Sequence, residues 1–310
     1  MPVVKGLENG DLLPRGPVVS LGIFDGVHVG HAAIAAGTLE LARELGTQGF
    51  AVTFDPHPDL LLRPAGFRGL LTTLEERAKL LAVQGMKTLF IIPFDHILAG
   101  LDPESFVKRI LLETLGVKGI VVGSNFTFGK GAAGNVSLLS SLAGTLGFAV
   151  RVIPPVILQG KVVSSTLIRR LLSEGMVETA ALYLGRPPSL QGRVLHGDGR
   201  GRTLGFPTAN LETAPHLCMP AQGVYAGRAI HRRRVFPCVV NIGTRPTFGG
   251  SRRLVEAHLL DYHGDLYGCD LEILLLGRLR RERRFESEQA LREQIAADIR
   301  SARTVLQEGS

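Results

Sequence analysis

The sequence predicts an α/β protein of two domains, in which a doubly wound parallel sheet precedes a small antiparallel β-barrel with a terminal helix. Over residues 1–185, apolar runs that suit buried strands alternate with amphipathic helical patterns, which is typical of a parallel sheet covered on both faces. Over residues 186–310, short strand patterns are separated by Gly and Pro turns as far as Leu279, which favours a small barrel. A helical pattern over Ser287–Leu306 then ends the chain.

The elements of the first domain are predicted from apolar runs and from residues that stop or cap them. The strands are expected over Val18–Phe24, Phe50–Phe54, Leu89–Pro93, Ile120–Val122 and the extended run Ala149–Leu158. Two prolines end the second strand, and a Thr-Leu-Glu-Glu capping box opens the second helix. The helices are expected over His31–Leu45, Thr73–Leu81, Asp102–Leu115, Val136–Leu146, Ser165–Leu172 and Val177–Tyr183. The pattern changes at Gly185-Arg186-Pro187-Pro188, so we place the domain boundary near residue 185.

The size and charge of the chain agree with this division. Its 310 residues suffice for about two domains, and 20% charged with 45% hydrophobic residues is a globular balance. Residues 1–185 carry 16 basic and 15 acidic side chains, whereas residues 186–310 carry 19 and 13, and all 19 of these are Arg. A basic half attracts phosphates, and composition alone leaves open whether they belong to nucleotides or to nucleic acid.

The cysteines and apolar segments suggest a cytoplasmic protein without a membrane partner. Cys218, Cys238 and Cys269 are widely spaced and form no Cys-x-x-Cys pair, which argues against a disulfide framework and favours a reducing compartment. The N-terminal residues lack the apolar core of a secretory signal. The uncharged window Gly131–Val150 contains nine Gly, Ser, Thr or Asn residues, so we expect no membrane span there.

The first candidate site follows the strand Val18–Phe24. His28 and His31 lie three residues apart where a helix begins, and free backbone N–H groups at such a point favour anions. Gly26 and Gly30 allow the backbone to approach a phosphate closely. Imidazoles can donate hydrogen bonds to the charge that develops during attack on phosphorus. The alternative interpretation is an ordinary helix cap with two surface histidines.

Two further segments of the first domain offer polar groups. Val163–Arg169 places three hydroxyls at a helix start and an Arg one turn further, which suits a phosphate, although an ordinary Ser/Thr cap looks the same. Gly123–Lys130 follows a strand and offers Asn125 beside two aromatic side chains, Phe126 and Phe128. These aromatic residues suit either a flat ligand or, more commonly, the core.

Four segments together resemble the adenylyltransferase module of the bacterial bifunctional riboflavin kinase/FAD synthetases. They are G-x-F-D-G-V-H-x-G-H (Gly22 to His31), T-F-D-P-H-P (Thr53 to Pro58), G-x-N-F-T-F-G (Gly123 to Gly129) and S-S-T-x-I-R (Ser164 to Arg169). The resemblance implies a Rossmann-like nucleotidylyltransferase domain over 1–185 that adenylates FMN with ATP and releases pyrophosphate. Many relatives carry an Arg shortly after the F-G pair, where this chain has Lys130. The resemblance makes His28 and His31 catalytic and assigns nucleotide and phosphate contacts to Gly22, Phe24, Asp25, Gly26, His28, His31, Asn125, Ser164, Thr166 and Arg169.

The second domain opens with a loop rich in Gly and Arg, Gly192–Arg202, which can expose backbone N–H groups to phosphates. It is not a Walker A loop, because no Gly-Lys-Ser/Thr follows. Thr208 and Asn210 lie two residues apart, so on a strand both face the same side and offer neutral oxygens to Mg²⁺. A glycine-rich hairpin with polar caps is the alternative interpretation.

The second domain resembles the riboflavin kinases, of which G-F-P-T-A-N (Gly205 to Asn210) is a signature. The segments Gly223–Tyr225, Asn241–Phe248 and Val255–His258 follow in the order of that family, over about residues 186–303. The resemblance implies that ATP phosphorylates riboflavin to FMN and ADP, that Thr208 and Asn210 bind Mg²⁺ with ATP, and that Glu256 is the catalytic base. It assigns ATP and flavin contacts to Gly197, Gly199, Gly201, Arg202, Gly205, Pro207, Thr208, Asn210 and Glu256. Arg232–Arg234 and Arg278–Arg284 match no motif and are expected to be solvated.

Three hypotheses follow from these observations. The first is one cytoplasmic enzyme that converts riboflavin to FMN and FMN to FAD, with small-molecule substrates and neither nucleic acid nor membrane as partner. The second keeps the fold but gives only one half an activity, the other half being a flavin-binding regulatory module. The third is a nucleic-acid-binding protein, against which aromatic residues make up only 6% of the chain and Trp is absent.

Overall fold

The computed structural model describes residues 1–12, 16–197, 200–247 and 250–308. The chain divides into two compact units. The first comprises Met1–Arg68 and Thr72–Ser165, and the second comprises Gly69–Leu71 and Thr166–Ser310. The functional limits 1–185 and 186–310 stay a prediction.

The first unit contains a six-stranded parallel sheet in the order β1-β4-β3-β2-β5-β8. The order reverses between β2 and β5, and in open α/β sheets ligands bind outside the carboxyl ends of the strands at such a switch point. Two short antiparallel pairs, β6 with β7 and β9 with β10, lie outside this sheet. Among the described residues of this unit, the strands are β1 Val3–Lys5, β2 Val18–Leu21, β3 Gly49–Asp55, β4 Leu89–Pro93, β5 Gly119–Gly123, β6 Thr127–Phe128, β7 Gly134–Asn135, β8 Ala149–Ile153, β9 Ile157–Leu158 and β10 Lys161–Val162.

Helices cover both faces of this sheet, which confirms the doubly wound prediction. One core joins the sheet to α6 and the π-helical segment Phe106–Thr114, and another joins it to α1 and α3. Short 3-10 segments lie at Leu7–Leu12, Pro64–Gly66 and Lys130–Ala132. The helices are α1 Val29–Glu44, α2 Pro58–Leu62, α3 Leu74–Val83, α4 His96–Ala99, α5 Pro103–Ser105 and α6 Val136–Leu146.

The structure of the first unit differs from the prediction in several places, among them the short helices α2 and α4 and the pair of β6 with β7, none of which was predicted. Strand β1 was not predicted, because it has only three residues and gives no apolar run. One of them, Val3, is 44% exposed. The first strand ends at Leu21 rather than Phe24, since Phe24 has a φ of +52°. The extended run from Ala149 ends at Ile153 and is followed by the hairpin of β9 and β10.

The second unit is built around a closed barrel of antiparallel strands in the order β11-β12-β15-β14-β13-β16. Buried and half-buried residues alternate along β16, as expected for strands with an inner and an outer face. Cys238 is fully buried, and this burial raises the pKa of its thiol far above the usual range. The strands are β11 Ser189–Leu195, β12 Ala209–Thr213, β13 Gly223–His231, β14 Arg234–Thr247, β15 Gly250–Leu259 and β16 Asp270–Arg280.

In the described part of the second half of the chain, four helices accompany the barrel. The terminal helix α10 buries Ala302 against Val224, Ala226 and Val239, so its apolar face packs on the barrel. The short α9 was not predicted, because its Gly- and Arg-rich sequence carries no apolar period. The helices are α7 Ser165–Glu174, α8 Val177–Leu184, α9 Arg200–Thr203 and α10 Glu288–Glu308.

Two arginines expected to be solvated instead hold elements together. The Arg278 guanidinium donates to the carbonyl oxygens of Glu174 and Gln222. Arg280 forms a bidentate pair with Asp298 of α10, with Nη2 to Oδ2 at 2.8 Å and Asp298 only 4% exposed. The expectation was wrong at these two positions because alternate residues of β16 face packed helices and loops rather than water.

Gly69–Leu71 comes from the first half of the chain and belongs to the second unit. Leu70 forms an isolated parallel bridge with Leu217. The Leu70 N–H donates to the His216 carbonyl, and the Leu70 carbonyl accepts from the Cys218 N–H at 2.7 Å. The Nε of Arg169 donates to the Gly69 carbonyl at 2.7 Å. Within the described part of the chain, no helix is long and apolar enough to cross a membrane.

Candidate active sites

The first candidate site lies at the switch point of the parallel sheet. Strand β2 ends at Leu21, the loop Gly22–His28 follows, and α1 begins at Val29. Its neighbour β5 ends at Gly123, and Asn125 follows with an exposed side chain. The loop and Asn125 therefore both extend from the carboxyl ends of adjacent strands, where the fold places ligands.

The two histidines are stacked on one another at the start of α1. Their ring centroids are 3.6 Å apart with an interplanar angle of 15°. Nδ1 of His28 accepts a hydrogen bond from the backbone N–H of His31 at 3.2 Å, so His28 is the N-cap of the helix. The His31 ring also meets the edge of the fully buried Phe24 ring, with centroids 5.3 Å apart. The histidine pair and the helix cap, which the sequence offered as alternatives, therefore occur together: His28 both caps α1 and stacks on His31.

The loop before the helix has an unusual backbone. Phe24, Gly26 and Val27 have φ values of +52°, +85° and +38°. Glycine accepts such angles freely, but they are costly for an aromatic and especially for a β-branched residue. Such a conformation persists only where the surrounding structure fixes it.

Asp25 is buried, at 2% exposure, and its carboxylate faces Thr72 and Arg77. It accepts hydrogen bonds from the N–H and hydroxyl of Thr72 at 3.1 and 3.2 Å, and Arg77 Nη2 lies 3.5 Å from the same oxygen. The hydroxyl of Ser165 donates to the Asp25 carbonyl at 2.9 Å. Sequence reasoning missed Thr72 and Arg77, since neither belongs to a quoted motif.

The remaining residues predicted to contact phosphate in the first domain lie at the start of α7 or within it. Ser164 is half-buried just before α7, while Thr166 is exposed and Arg169 is 9% exposed in that helix. Thr166 and Arg169 belong to the second unit, and their role toward phosphate stays a prediction. Phe128 is buried in the core with Phe126 packed against it, so these two aromatic side chains are structural.

The second candidate site is a row of three side chains across the barrel. Glu256 on β15 lies opposite Asn210 of β12 on one side and opposite Asn241 of β14 on the other. Nδ2 of Asn241 donates to Oε2 of Glu256 at 3.3 Å. The residues flanking Glu256, Val255 and Ala257, are buried, so the half-buried Glu256 side chain projects from the opposite face of its strand.

Two glycines lie close beside the predicted Mg²⁺ ligands. A Cβ on Gly197 would lie 2.2 Å from Nδ2 of Asn210, and one on Gly201 would lie 3.1 Å from Oγ1 of Thr208. Thr208 and Asn210 are half-buried, and Ala209 between them is buried, so both face one side. Two neutral oxygens fit a Mg²⁺ ion that takes its remaining ligands from nucleotide phosphates and water. Among the described residues, no cluster of three His, Cys, Asp or Glu side chains offers a metal site by itself.

The other predicted residues of this site surround the same strands. Pro207 is exposed, and its carbonyl lies 2.7 Å from Nδ1 of His258, a residue that sequence reasoning quoted in a motif without a role. Gly205 has a φ of +85° in the turn before Pro207, and Arg202 is exposed on α9. Gly199 lies outside the described residues.

The fold and these two sites define a transferase class with a nucleotide-binding parallel sheet and a glycine-rich barrel. Residues 12–167 match the family described as FAD synthetase, and residues 184–306 match the family described as riboflavin kinase. The chain belongs to the bifunctional riboflavin kinase/FMN adenylyltransferase family, which confirms the resemblance recognised in its sequence.

Relatives of that name match over nearly the whole chain. The Escherichia coli (strain K12) protein is 37% identical over 305 residues, covering 98% of this chain and 97% of its own length. The Pseudomonas fluorescens protein is 38% identical over 306 residues, covering 98% of each, and the Bacillus subtilis (strain 168) protein is 36% identical over 290 residues, covering 92% and 91%. A crystal structure from Streptococcus pneumoniae, described as a macrolide-efflux protein, is similar at a TM-score of 0.89 and 30% identity, covering 98% of this chain and 99% of that one. The fold is therefore shared over the full length.

Proposed function

We propose that this chain makes both flavin cofactors: it phosphorylates riboflavin with ATP to FMN and adenylates FMN with a second ATP to FAD. The proposal is supported by two distinct arrangements in one chain whose residue types suit phosphate transfer. The stacked histidines lie at the switch point of the sheet, and the Asn-Glu-Asn row lies beside the glycine-rich segment of the barrel. Each arrangement suits one of the two reactions.

In the barrel, Glu256 acts as the general base. Its carboxylate accepts the proton of the terminal ribityl hydroxyl as that oxygen attacks the γ-phosphorus of ATP, and the bond from this phosphorus to the bridging oxygen of ADP breaks. Asn241 donates to one carboxylate oxygen and holds its orientation. FMN and ADP are the products.

Thr208 and Asn210 would hold the Mg²⁺ ion that accompanies ATP in this reaction. When bound, the ion would neutralise charge on the transferring phosphate. Gly197 and Gly201 matter because any side chain there would collide with Asn210 or crowd Thr208. The backbone can therefore approach a nucleotide at this place.

In the sheet, His28 and His31 stabilise the charge that builds on the α-phosphate of ATP. A phosphate oxygen of FMN attacks the α-phosphorus, and the bond to pyrophosphate breaks. The start of α1 adds backbone donors and the positive end of the helix dipole. Asn125, at the end of the adjacent strand, helps to hold the substrates.

We place this enzyme in the cytoplasm, with small molecules as its partners. The wide spacing of Cys218, Cys238 and Cys269, without a Cys-x-x-Cys pair, supports a reducing compartment. Both ATP and flavin are cytoplasmic substrates of moderate size that suit such sites.

The test is to incubate the purified chain with riboflavin and Mg-ATP and to separate the flavins by chromatography. The proposal expects FMN to appear first and FAD to follow, with one ADP released for each riboflavin phosphorylated and one pyrophosphate for each FAD formed. FMN without FAD would leave the adenylyl-transfer half without support. Unchanged riboflavin together with salt-sensitive binding of an oligonucleotide would contradict the whole proposal.

A further inference from the structure

We infer that Arg77 is a positioning residue for adenylyl transfer: through Asp25 and Thr72 it holds the strained loop Phe24–Val27 in the conformation that presents the two histidines. The inference rests on the proposed adenylyl transfer and deepens it. It concerns the first unit alone.

Arg77 and Asp25 form a buried ion pair. Each residue is 2% exposed, and Nη2 lies 3.5 Å from Oδ1. Arg77 is on α3, whereas Asp25 is in the loop that leads to α1. A buried ion pair is weak evidence of stabilisation, because its desolvation offsets much of the attraction. Its presence beside the candidate site therefore calls for another explanation, and fixing the conformation of the loop supplies one.

Thr72 completes the anchor of the loop. Its backbone N–H and its hydroxyl donate to the Asp25 carboxylate at 3.1 and 3.2 Å. The same hydroxyl oxygen accepts a hydrogen bond from the N–H of Gly26 at 3.0 Å. Asp25 and Gly26, which are consecutive in the loop, are thus both hydrogen-bonded to Thr72. Arg77 neutralises the charge of the Asp25 carboxylate.

A second contact extends the anchor to the residue before the strained segment. Nη1 of Arg77 lies 3.5 Å from the Thr53 hydroxyl, which itself donates to the Ile23 carbonyl at 2.9 Å. Thr53 lies on β3, so the guanidinium joins the sheet, α3 and the loop.

The positive φ angles of Phe24 and Val27 explain why such an anchor is needed. Without it, both residues would relax toward more favourable backbone conformations. Phe24 contacts the His31 ring directly, so relaxation of the loop displaces the histidine. Displacements of this kind cost catalysis far more than they cost binding, since reacting groups must be aligned closely. Because its side chain is buried, Arg77 acts through the loop rather than on the substrate.

The experiment measures FAD formation from FMN and FMN formation from riboflavin in the same full-length preparations. Arg77→Met keeps the length of the side chain and removes its charge. We expect kcat for adenylyl transfer to fall about 100-fold, while KM for ATP and FMN stays within about threefold and kinase activity is unchanged. Arg77→Lys restores a charge opposite Asp25, so its kcat should recover to within about tenfold of wild type.

Thr72→Val tests the same anchor without disturbing the ion pair, and it decides the matter if Arg77→Met does not fold. Its kcat should fall about 10- to 100-fold, because the variant loses two hydrogen bonds of the hydroxyl, one to Asp25 and one from Gly26. Thr38→Val is the matched control, because Thr38 is fully buried and its hydroxyl donates to the Ile34 carbonyl within α1 at 2.7 Å. Its kcat should not change.

Wild-type adenylyl transfer in Arg77→Met, or in Thr72→Val where Arg77→Met does not fold, would overturn the inference. An equal loss in Thr38→Val would also overturn it, because the cause would then be lower stability of the unit. A wild-type chain that makes no FAD would refute the proposed function itself, whereas FAD from the wild type and from an unimpaired Arg77→Met variant would refute only the positioning role.

Discussion

Asn241 donates a hydrogen bond through Nδ2 to Oε2 of Glu256 at 3.3 Å, across the pairing of β14 with β15. A carboxylate with one oxygen held by an amide keeps the other available as a proton acceptor. The two residues are 15 positions apart in sequence and directly opposite in the barrel.

Glu256→Gln keeps the shape of the side chain and removes the proton acceptor. We expect kinase kcat to fall about 100- to 10,000-fold, the range for general base catalysis, with affinity for riboflavin and ATP retained. Glu272→Gln, a half-buried strand glutamate on β16, is the control and should keep full activity. Initial rates of FMN formation provide the measurement. A change in the Glu256 variant of less than about threefold would contradict its role as the general base.

Replacement of Asn241 tests whether it acts through Glu256. Asn241→Leu should lower kinase kcat about 10- to 100-fold, the effect of one lost hydrogen bond to a charged group. In the Glu256→Gln background the same replacement should have little further effect, because the group it orients no longer accepts a proton. The four chains of this cycle are compared by kcat, and additive losses would contradict the link.

Thr208→Ala should weaken the binding of Mg-ATP to the kinase site, because one oxygen ligand is lost. The expected change is a rise of about tenfold in the Mg²⁺ concentration needed for half-maximal FMN formation. Thr208→Ser keeps the hydroxyl and should behave as wild type. Identical Mg²⁺ dependence of the Ala and Ser variants would rule out Thr208 as a ligand.

His28→Asn separates the cap from the imidazole. An Asn side chain can still accept from the His31 N–H, so the start of α1 is preserved, whereas the donor to phosphate is altered. We expect adenylyl transfer to fall about 100-fold or more in this variant and in His31→Ala, with FMN formation unchanged. Asp95→Ala removes the N-cap of α4, where Oδ1 accepts from Leu98 at 2.8 Å, and serves as the control for cap loss. Equal loss of both activities would indicate misfolding.

Fragments of the chain test the predicted limit at residue 185. The fragment 186–310 should form FMN and no FAD, and the fragment 166–310 should do the same with higher stability. The longer one retains α8, in which Tyr183 and Leu184 are buried, and burial of two such side chains contributes about 3 kcal/mol or more. Urea unfolding compares them. A fragment 186–310 that folds yet leaves riboflavin unchanged with Mg-ATP would show that the limit is misplaced.

The sequence predicted those helices and strands that are determined by a local pattern of residues. Strand β4 and helix α6 occur over the predicted residues, because an uninterrupted apolar run and a Gly after a helical pattern are local features. The His28–His31 pair was predictable for the same reason, since i and i+3 positions at a helix start are neighbours by geometry.

Contacts set by strand register and by buried charge were not predictable. Nothing in the residues around Asn241 reveals that it lies opposite Glu256, because the pairing of β14 with β15 fixes that relation. Arg77 looks like an exposed helical arginine beside Glu75 and Glu76, and its partner Asp25 is 52 positions away. Tertiary packing alone brings these side chains together.

The bridge between Leu70 and Leu217 imposes an order of events on synthesis at the ribosome. Translation delivers Leu70 long before Leu217, so the backbone groups of this early segment remain hydrogen-bonded to water while half the chain is still to be made. The kinase half of the protein therefore cannot reach its final contacts by folding only what is translated last. A nascent chain stalled before residue 216 should leave residues 69–71 open to protease, and release of the full chain should close them.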